Sequence, residues 1–163
     1  LVKVSMETIE TSSIILLIIA GASVFSWVLT SQRVTEDFTV WMLTITDNKT
    51  VILLLITLIL FVVGCFMETI AAITILTPVL LPIAVGLGID PVHFGVVMVL
   101  NLMIGLLTPP VGMVLYVLSR VTKVPFEECA KATIPFLIPL IVVLMLVTFI
   151  PELSMWLPTL LYR

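Results

Sequence analysis

Charge is what this sequence has least of. Ten acidic and seven basic residues make up 10% of its 163 residues; a soluble domain carries about 25%. Apolar residues reach 61%, and the mean hydropathy is +1.37. Together these departures exclude a soluble globular enzyme and a disordered chain. Seven basic residues against ten acidic ones leave no basic face for phosphate backbones, so nucleic acid is not an expected partner. His93 is the single histidine, which excludes a multi-histidine metal site. It follows Asp90 and Pro91 at a helix start, where a capping or interfacial role is expected. Two cysteines, Cys65 and Cys129, are too few and too dispersed for a disulfide framework. Cys65 lies in an apolar run and reads as a small packing residue. No Gly-rich phosphate loop is present, and no serine sits in a nucleophile-elbow sequence. An intramembrane hydrolase needs a nucleophile facing a base, and Ser119 and His93 are separated by most of a span.

What is abundant is uninterrupted apolar sequence. Residues 11–32, 50–67, 69–89, 91–119 and 132–151 carry no Asp, Glu, Lys or Arg, and each stretch is at least 18 residues long. A membrane-spanning helix needs about 17–25. The chain is therefore expected to be an all-α, multi-pass integral membrane protein with the lipid bilayer as its surroundings. It opens on Leu1 with no initiator methionine and no signal-peptide pattern, so it reads as a piece of a longer polypeptide.

Four regions follow along the chain. Residues 1–49 hold a first span over 11–30, with Ser12 and Ser13 as candidate N-caps. Gly21, Ala22, Ser23 and Ser26 put small residues on one side, which suits close helix contact in lipid. An interfacial segment at 38–46 is anchored by Trp41, and Asp47, Asn48 and Lys49 make a polar turn. Residues 50–88 form a 39-residue stretch with one charge, Glu68. Two full spans with no polar loop between them are implausible there. The expected structure is two shorter helices meeting inside the membrane around an irregular tip at 68–78, with Gly64 and Pro78 among the interrupting residues. Backbone at that depth must be buried in protein or line a wet cavity, a condition that a re-entrant hairpin meets. Residues 91–121 read as one span broken in its middle. Gly105, Thr108, Pro109, Pro110 and Gly112 follow a helix expected to reach Leu107, and two prolines remove two backbone donors. A polar loop is expected at 121–131. Residues 132–163 hold the last span, with Pro135 in its first turn and Pro139 a candidate kink, and a tail in which Trp156 and Tyr162 fit an interface. Lys and Arg fall on several loops, so charge assigns no membrane orientation.

The two interrupted segments carry the functional signal. Unwound backbone exposes carbonyls to a small cation, and half-helix N-termini expose N–H groups to an anion. Two breaks and a mid-membrane carboxylate point to a secondary transporter. A carboxylate in the apolar zone costs about 2.5–3.5 kcal/mol on insertion scales. Glu68 therefore either supports a cation site and fixes the tip, or sits at a shallow, water-exposed turn. Thr69, Thr74, Thr77 and Thr108 offer hydroxyls, each of which can instead bond its own helix backbone. Asn101 either coordinates an ion or joins two helices by a hydrogen bond.

The run GCFMETIAAITILTPVLLPIAVGLGIDPVHFGVVMVLNLMIGLLTPPVGMVLYVLSRV, residues 64–121, resembles the later part of the large, DctM-like membrane subunit of TRAP (tripartite ATP-independent periplasmic) transporters. GIDPVHFG followed by IGLLTPPVG is the specific part. Residues 14–30 and the ending PELSMWLP also fit, and the match is to roughly the C-terminal two-fifths of such a subunit. The resemblance implies an elevator-type fold with an inverted repeat, of which this is the second half. It implies sodium-coupled uptake of organic acids delivered by a periplasmic binding protein, and a small four-helix membrane subunit as partner, in a bacterial or archaeal inner membrane. Residues 50–88 then correspond to a re-entrant hairpin and 91–121 to the broken helix beside it. The tip acid carries over to Glu68, where the family usually has Asp. The sodium candidates are Thr108 and the backbone of Gly105, Leu107 and Gly112, with Glu68, Thr69, Thr77 and Asn101 as further ion- or substrate-binding candidates. The resemblance implies sodium as the coupling ion and no organic cofactor.

Two other functions compete. A channel needs a polar stripe along a continuous pore, and these spans have none. A non-transporting anchor has no need of two mid-membrane breaks or of Glu68.

Overall fold

The computed structural model describes residues 2–33, 40 and 48–161. Those residues form seven helices and no strand. In chain order they are α1 (Val2–Ser31), α2 (Lys49–Phe66), α3 (Thr69–Gly86), α4 (Pro91–Gly105), α5 (Met113–Thr122), α6 (Phe126–Phe149) and α7 (Glu152–Leu161). Among them α2, α3 and α6 are long and apolar enough to cross a membrane. Leu54, Leu58 and Val62 on α2 and Phe136, Ile138 and Val142 on α6 are exposed, as befits helices set in lipid.

Helix α1 starts earlier than expected. It is 30 residues long, and Ser12 and Ser13 lie exposed inside it and cap nothing. A continuous helix through the polar residues 3–10 leaves no N-terminus at residue 12. It packs along α3, with Ser23 facing Thr74, Thr77 and Pro78 across a shallow cavity. A Cβ at Gly21 would meet nothing within 4 Å, so no close helix crossing among the described residues uses it. The side chains of Ala22 and Ser26, the interfacial segment with Trp41, and Tyr162 lie outside the described residues.

Asn48 caps α2 by accepting a bond from Thr50 N at 3.0 Å. Ile52, Ile56, Leu60 and Gly64 repeat at helical spacing and are buried against Phe94, Met98 and Leu102 of α4. These two helices run parallel. The Lys49 ammonium donates to Gly88 O at 3.3 Å, beside the start of α4, and Gly64 meets Gly105 at the far ends. Helix α3 returns antiparallel, adding Ala72, Leu80 and Ile83 to the core. Gly88 has φ +72, a backbone that favours glycine, and closes the turn after α3. Asp90 then caps α4, accepting from Val92 N at 2.8 Å and His93 N at 3.4 Å, with Pro91 in the first turn.

Two expected loops differ. The irregular tip is only Met67 and Glu68, not 68–78, because α3 is continuous through Pro78 and Pro82. The loop expected at 121–131 shrinks to residues 123–125. Glu127 and Glu128 occupy the first turn of α6, where acidic side chains favour a helix start. Pro135 therefore lies well inside α6 rather than in its first turn. Helix α6 spans 24 residues, about 36 Å at 1.5 Å per residue. It packs back on α4 and α5 through Ile104, Leu137 and Leu144 and a stacked Tyr116–Phe126 pair with centroids 4.6 Å apart. Trp156, placed by sequence in an interfacial tail, lies exposed on α7. That helix docks on α4 through a 2.6 Å hydrogen bond between His93 Nδ1 and Ser154 Oγ. His93 is 2% exposed, a packed position where an interfacial one was expected. Asp90, not His93, does the capping.

Candidate functional site

The tip between α2 and α3 and the break between α4 and α5 come together at one level. Gly64 and Gly105 make the contact. A Cβ built on Gly105 would lie 2.6 Å from Gly64 C and 2.9 Å from Cys65 N. One on Gly64 would lie 2.9 Å from Leu102 O. Backbone thus touches backbone, which only glycine allows. Gly64 was expected to interrupt a helix. It lies inside α2 and serves a helix crossing. Pro78, likewise expected as a break, lies inside α3; the ordinary i–4 donor is missing there, but packing by α1 and α4 holds the helix.

Across this contact Gly112 N donates to Cys65 O at 3.4 Å. Glu68 is the N-cap of α3, with Oε2 accepting from Ala71 N at 3.0 Å. Its side chain is exposed. Thr69 follows at the first position of α3, is 8% exposed, and points its hydroxyl at Met103 Sδ of α4, 3.7 Å away.

The break runs from 106 to 112. Helix α4 stops at Gly105, two residues before the expected end at Leu107, and tightens first. Leu107 N bonds Ile104 O at 3.1 Å and Thr108 N bonds Gly105 O at 2.9 Å. Pro109 and Pro110 follow, joined by a cis peptide, and offer no donors. Gly112 has φ +54 and starts α5, with Leu115 N donating to Gly112 O at 2.7 Å. Thr108 is half-buried, and its hydroxyl donates to Ile104 O at 2.9 Å. That bond uses the proton and leaves the oxygen lone pairs.

Four helix ends therefore meet here. The C-termini of α2 and α4 present carbonyls and the negative ends of their dipoles. The N-termini of α3 and α5 present N–H groups and positive ends. Such an arrangement suits a small cation at the carbonyl ends and an anion at the amide ends. Among the described residues no group of three His, Cys, Asp or Glu could hold a metal ion.

The other candidates lie elsewhere. Thr77 is two turns along α3 from the tip, donating to Ile73 O at 2.6 Å with Met98 Sδ 3.6 Å away. Asn101 is one turn before Gly105, fully buried, and borders a groove with Thr57 of α2 and Leu144 of α6. Sequence reasoning missed two features. One is the role of the Cys65 carbonyl. The other is Thr57, a buried hydroxyl in a helix read as plainly apolar.

This geometry lies within a matched family region. The family model described as "Tripartite ATP-independent periplasmic transporter, DctM component" matches residues 1–153. The chain belongs to the DctM family. Similar relatives include the sialic acid TRAP transporter large permease protein SiaM of Vibrio cholerae, 44% identical over 159 residues, covering 98% of this chain and 37% of that one. The C4-dicarboxylate TRAP transporter large permease protein DctM of Pseudomonas aeruginosa is 41% identical over 156 residues, covering 96% and 36%. The isethionate TRAP transporter permease protein DctMQ of Oleidesulfovibrio alaskensis is 40% identical over 151 residues, covering 93% and 24%. The DctM-family chain described here thus spans a little over a third of the length of the first two.

Proposed function

We propose that this chain forms part of a TRAP large permease, contributing one re-entrant hairpin and one broken helix to sodium-coupled uptake of organic acids across a bacterial or archaeal inner membrane. The single observation that carries the reading is the meeting of the 67–68 tip with the 106–112 break. Both feet of the hairpin stand at one end, tied by the bond from Lys49 to Gly88. Its tip reaches about 22 Å along α4, the length of that 15-residue helix. The α4–break–α5 unit continues past it. A hairpin that ends beside a mid-helix break is re-entrant in this reading. Sodium takes the carbonyl side, with Thr108 and the backbone of Gly105, Leu107 and Gly112 as ligands. The acid's charge lies toward the N-termini of α3 and α5. Glu68 holds the tip by capping α3.

The relatives' names cite sialic acid, isethionate and C4-dicarboxylate, all small organic anions. An organic acid is accordingly the substrate class, delivered by a periplasmic binding protein. A small four-helix membrane subunit braces the large one, which moves as an elevator built on an inverted repeat. The role is transport, not catalysis.

The test uses the complete large permease with its small partner in liposomes. Uptake of radiolabelled organic acids is followed with and without an inward sodium gradient and with and without the binding protein. Uptake that needs both supports the proposal. Uptake indifferent to both overturns it.

A further inference from the structure

Helix α7 has a face that the transport reading does not use, and its place along the chain says what covers that face. Residues 132–151 carry no Asp, Glu, Lys or Arg. At 1.5 Å per residue they extend about 30 Å, the thickness of the hydrocarbon core of a bilayer. Glu127, Glu128 and Lys131 stand at one edge of this stretch and Glu152 at the other. Lys49 and Asp90, both exposed, share a cavity wall with Thr148, Phe149 and Pro151, so the charged feet of the hairpin mark the same edge as Glu152. Helix α6 ends at Phe149 and the chain turns through Ile150 and Pro151. Helix α7 therefore begins where apolar core gives way to water. Its 10 residues make about 15 Å, too short to cross back.

Three sectors run along this helix. Ser154, Met155 and Pro158 are half-buried on the side that docks on α4, where Ser154 Oγ meets His93 Nδ1 at 2.6 Å. Glu152 and Thr159 form an exposed polar edge. Leu153, Trp156, Leu157, Leu160 and Leu161 recur at helical spacing on the remaining side, and each is more than half exposed. Five large apolar side chains in one stripe are too much apolar surface to leave to water. Leu146, Phe149 and Ile150, just before the helix, are exposed too, so apolar surface continues from the spanning helix to the stripe. A short helix with an apolar stripe beside a polar edge suits the headgroup–acyl boundary. Trp156 fits that level, with an apolar ring and a polar N–H.

We propose that α7 is a membrane-surface helix. Its Leu153–Trp156–Leu157–Leu160–Leu161 stripe lies in the headgroup–acyl boundary of the bilayer, and the His93–Ser154 bond fastens it to the start of α4. The helix thereby holds the hairpin's feet and the start of α4 at the lipid surface. It requires nothing of the sodium site.

The test uses the complete permease in phosphatidylcholine vesicles whose acyl chains carry bromine either near the headgroup or near the chain end. The fluorescence of Trp156 is taken as the difference between wild type and Trp156→Phe. The proposal expects near-headgroup bromine to quench this difference several-fold more than chain-end bromine, and aqueous iodide to quench it little. Stronger quenching by chain-end bromine, or by iodide, overturns it. Quenching by neither lipid means that protein covers the stripe, from a second copy or another part of the assembly, and also overturns it. A nitroxide on Leu157→Cys gives a second reading that leaves Trp156 in place. Collisions with oxygen several-fold more frequent than with an aqueous nickel complex support the proposal. The reverse order, or low access to both, overturns it.

Discussion

Replacing Gly105 with alanine tests the contact on which the site is built. The added Cβ would sit 2.6 Å from Gly64 C, 2.7 Å from Gly64 Cα and 2.9 Å from Cys65 N. Carbon pairs prefer about 3.5–4.0 Å. All three obstructing atoms are backbone, so no side chain can swing away and the two helices must part by nearly an ångström. Overpacking costs about 1–3 kcal/mol, and a backbone-to-backbone clash belongs at the upper end. Alanine recovers about 1 kcal/mol of helix propensity over glycine. The net expectation is a loss of about 2 kcal/mol. Gly95 is the internal control, because it lies on the same helix and a Cβ there meets nothing within 4 Å. Gly95→Ala should gain up to about 1 kcal/mol. Thermal unfolding of the complete permease in one detergent reads both. Gly64→Ala, whose nearest contact is 2.9 Å, should fall between them. Equal melting temperatures for Gly105→Ala and Gly95→Ala would refute the reasoning.

Glu68→Ala removes the α3 cap and should cost about 0.5–2 kcal/mol in thermal unfolding, while Glu68→Gln keeps an acceptor and should cost less; equal losses would refute the capping role. Asp90→Ala loses two bonds at the start of α4 and should cost about 1 kcal/mol by the same measurement. Gly112→Ala forces a side chain to φ +54 beside Leu115 and should cost about 1–2 kcal/mol, with unchanged stability arguing against the left-handed backbone. Ser154→Ala removes the bond to His93 and should speed amide hydrogen exchange across 152–161 while leaving α2 protected.

Some of this was legible in the sequence because the chemistry is local. Pro109 and Pro110 remove two donors wherever they fall, and Asp90 followed by Pro91 marks a helix start. Composition alone placed the chain in lipid. Gly64 misled because one letter serves both a helix interruption and a helix crossing. The difference depends on Gly105, 41 positions away. Pro78 misled for a related reason, since neighbours can hold a helix whose own ladder lacks a bond. The stretch 121–131 looked like a loop because its charges were read as solvation, whereas Glu127 and Glu128 favour a helix start. His93 is buried through a bond to Ser154, and Thr57 through the packing of α4 and α6. Neither partner leaves a mark on the residue's own neighbourhood in the sequence.

The central claim is that the tip and the break together hold sodium, and binding of labelled sodium to the purified complete permease tests it most directly. Thr108→Val keeps the shape and removes the oxygen, whereas Thr108→Ser keeps the oxygen. The account predicts that Thr108→Val raises the sodium concentration for half-maximal binding at least several-fold and that Thr108→Ser stays near wild type. Wild-type sodium binding in Thr108→Val would contradict it.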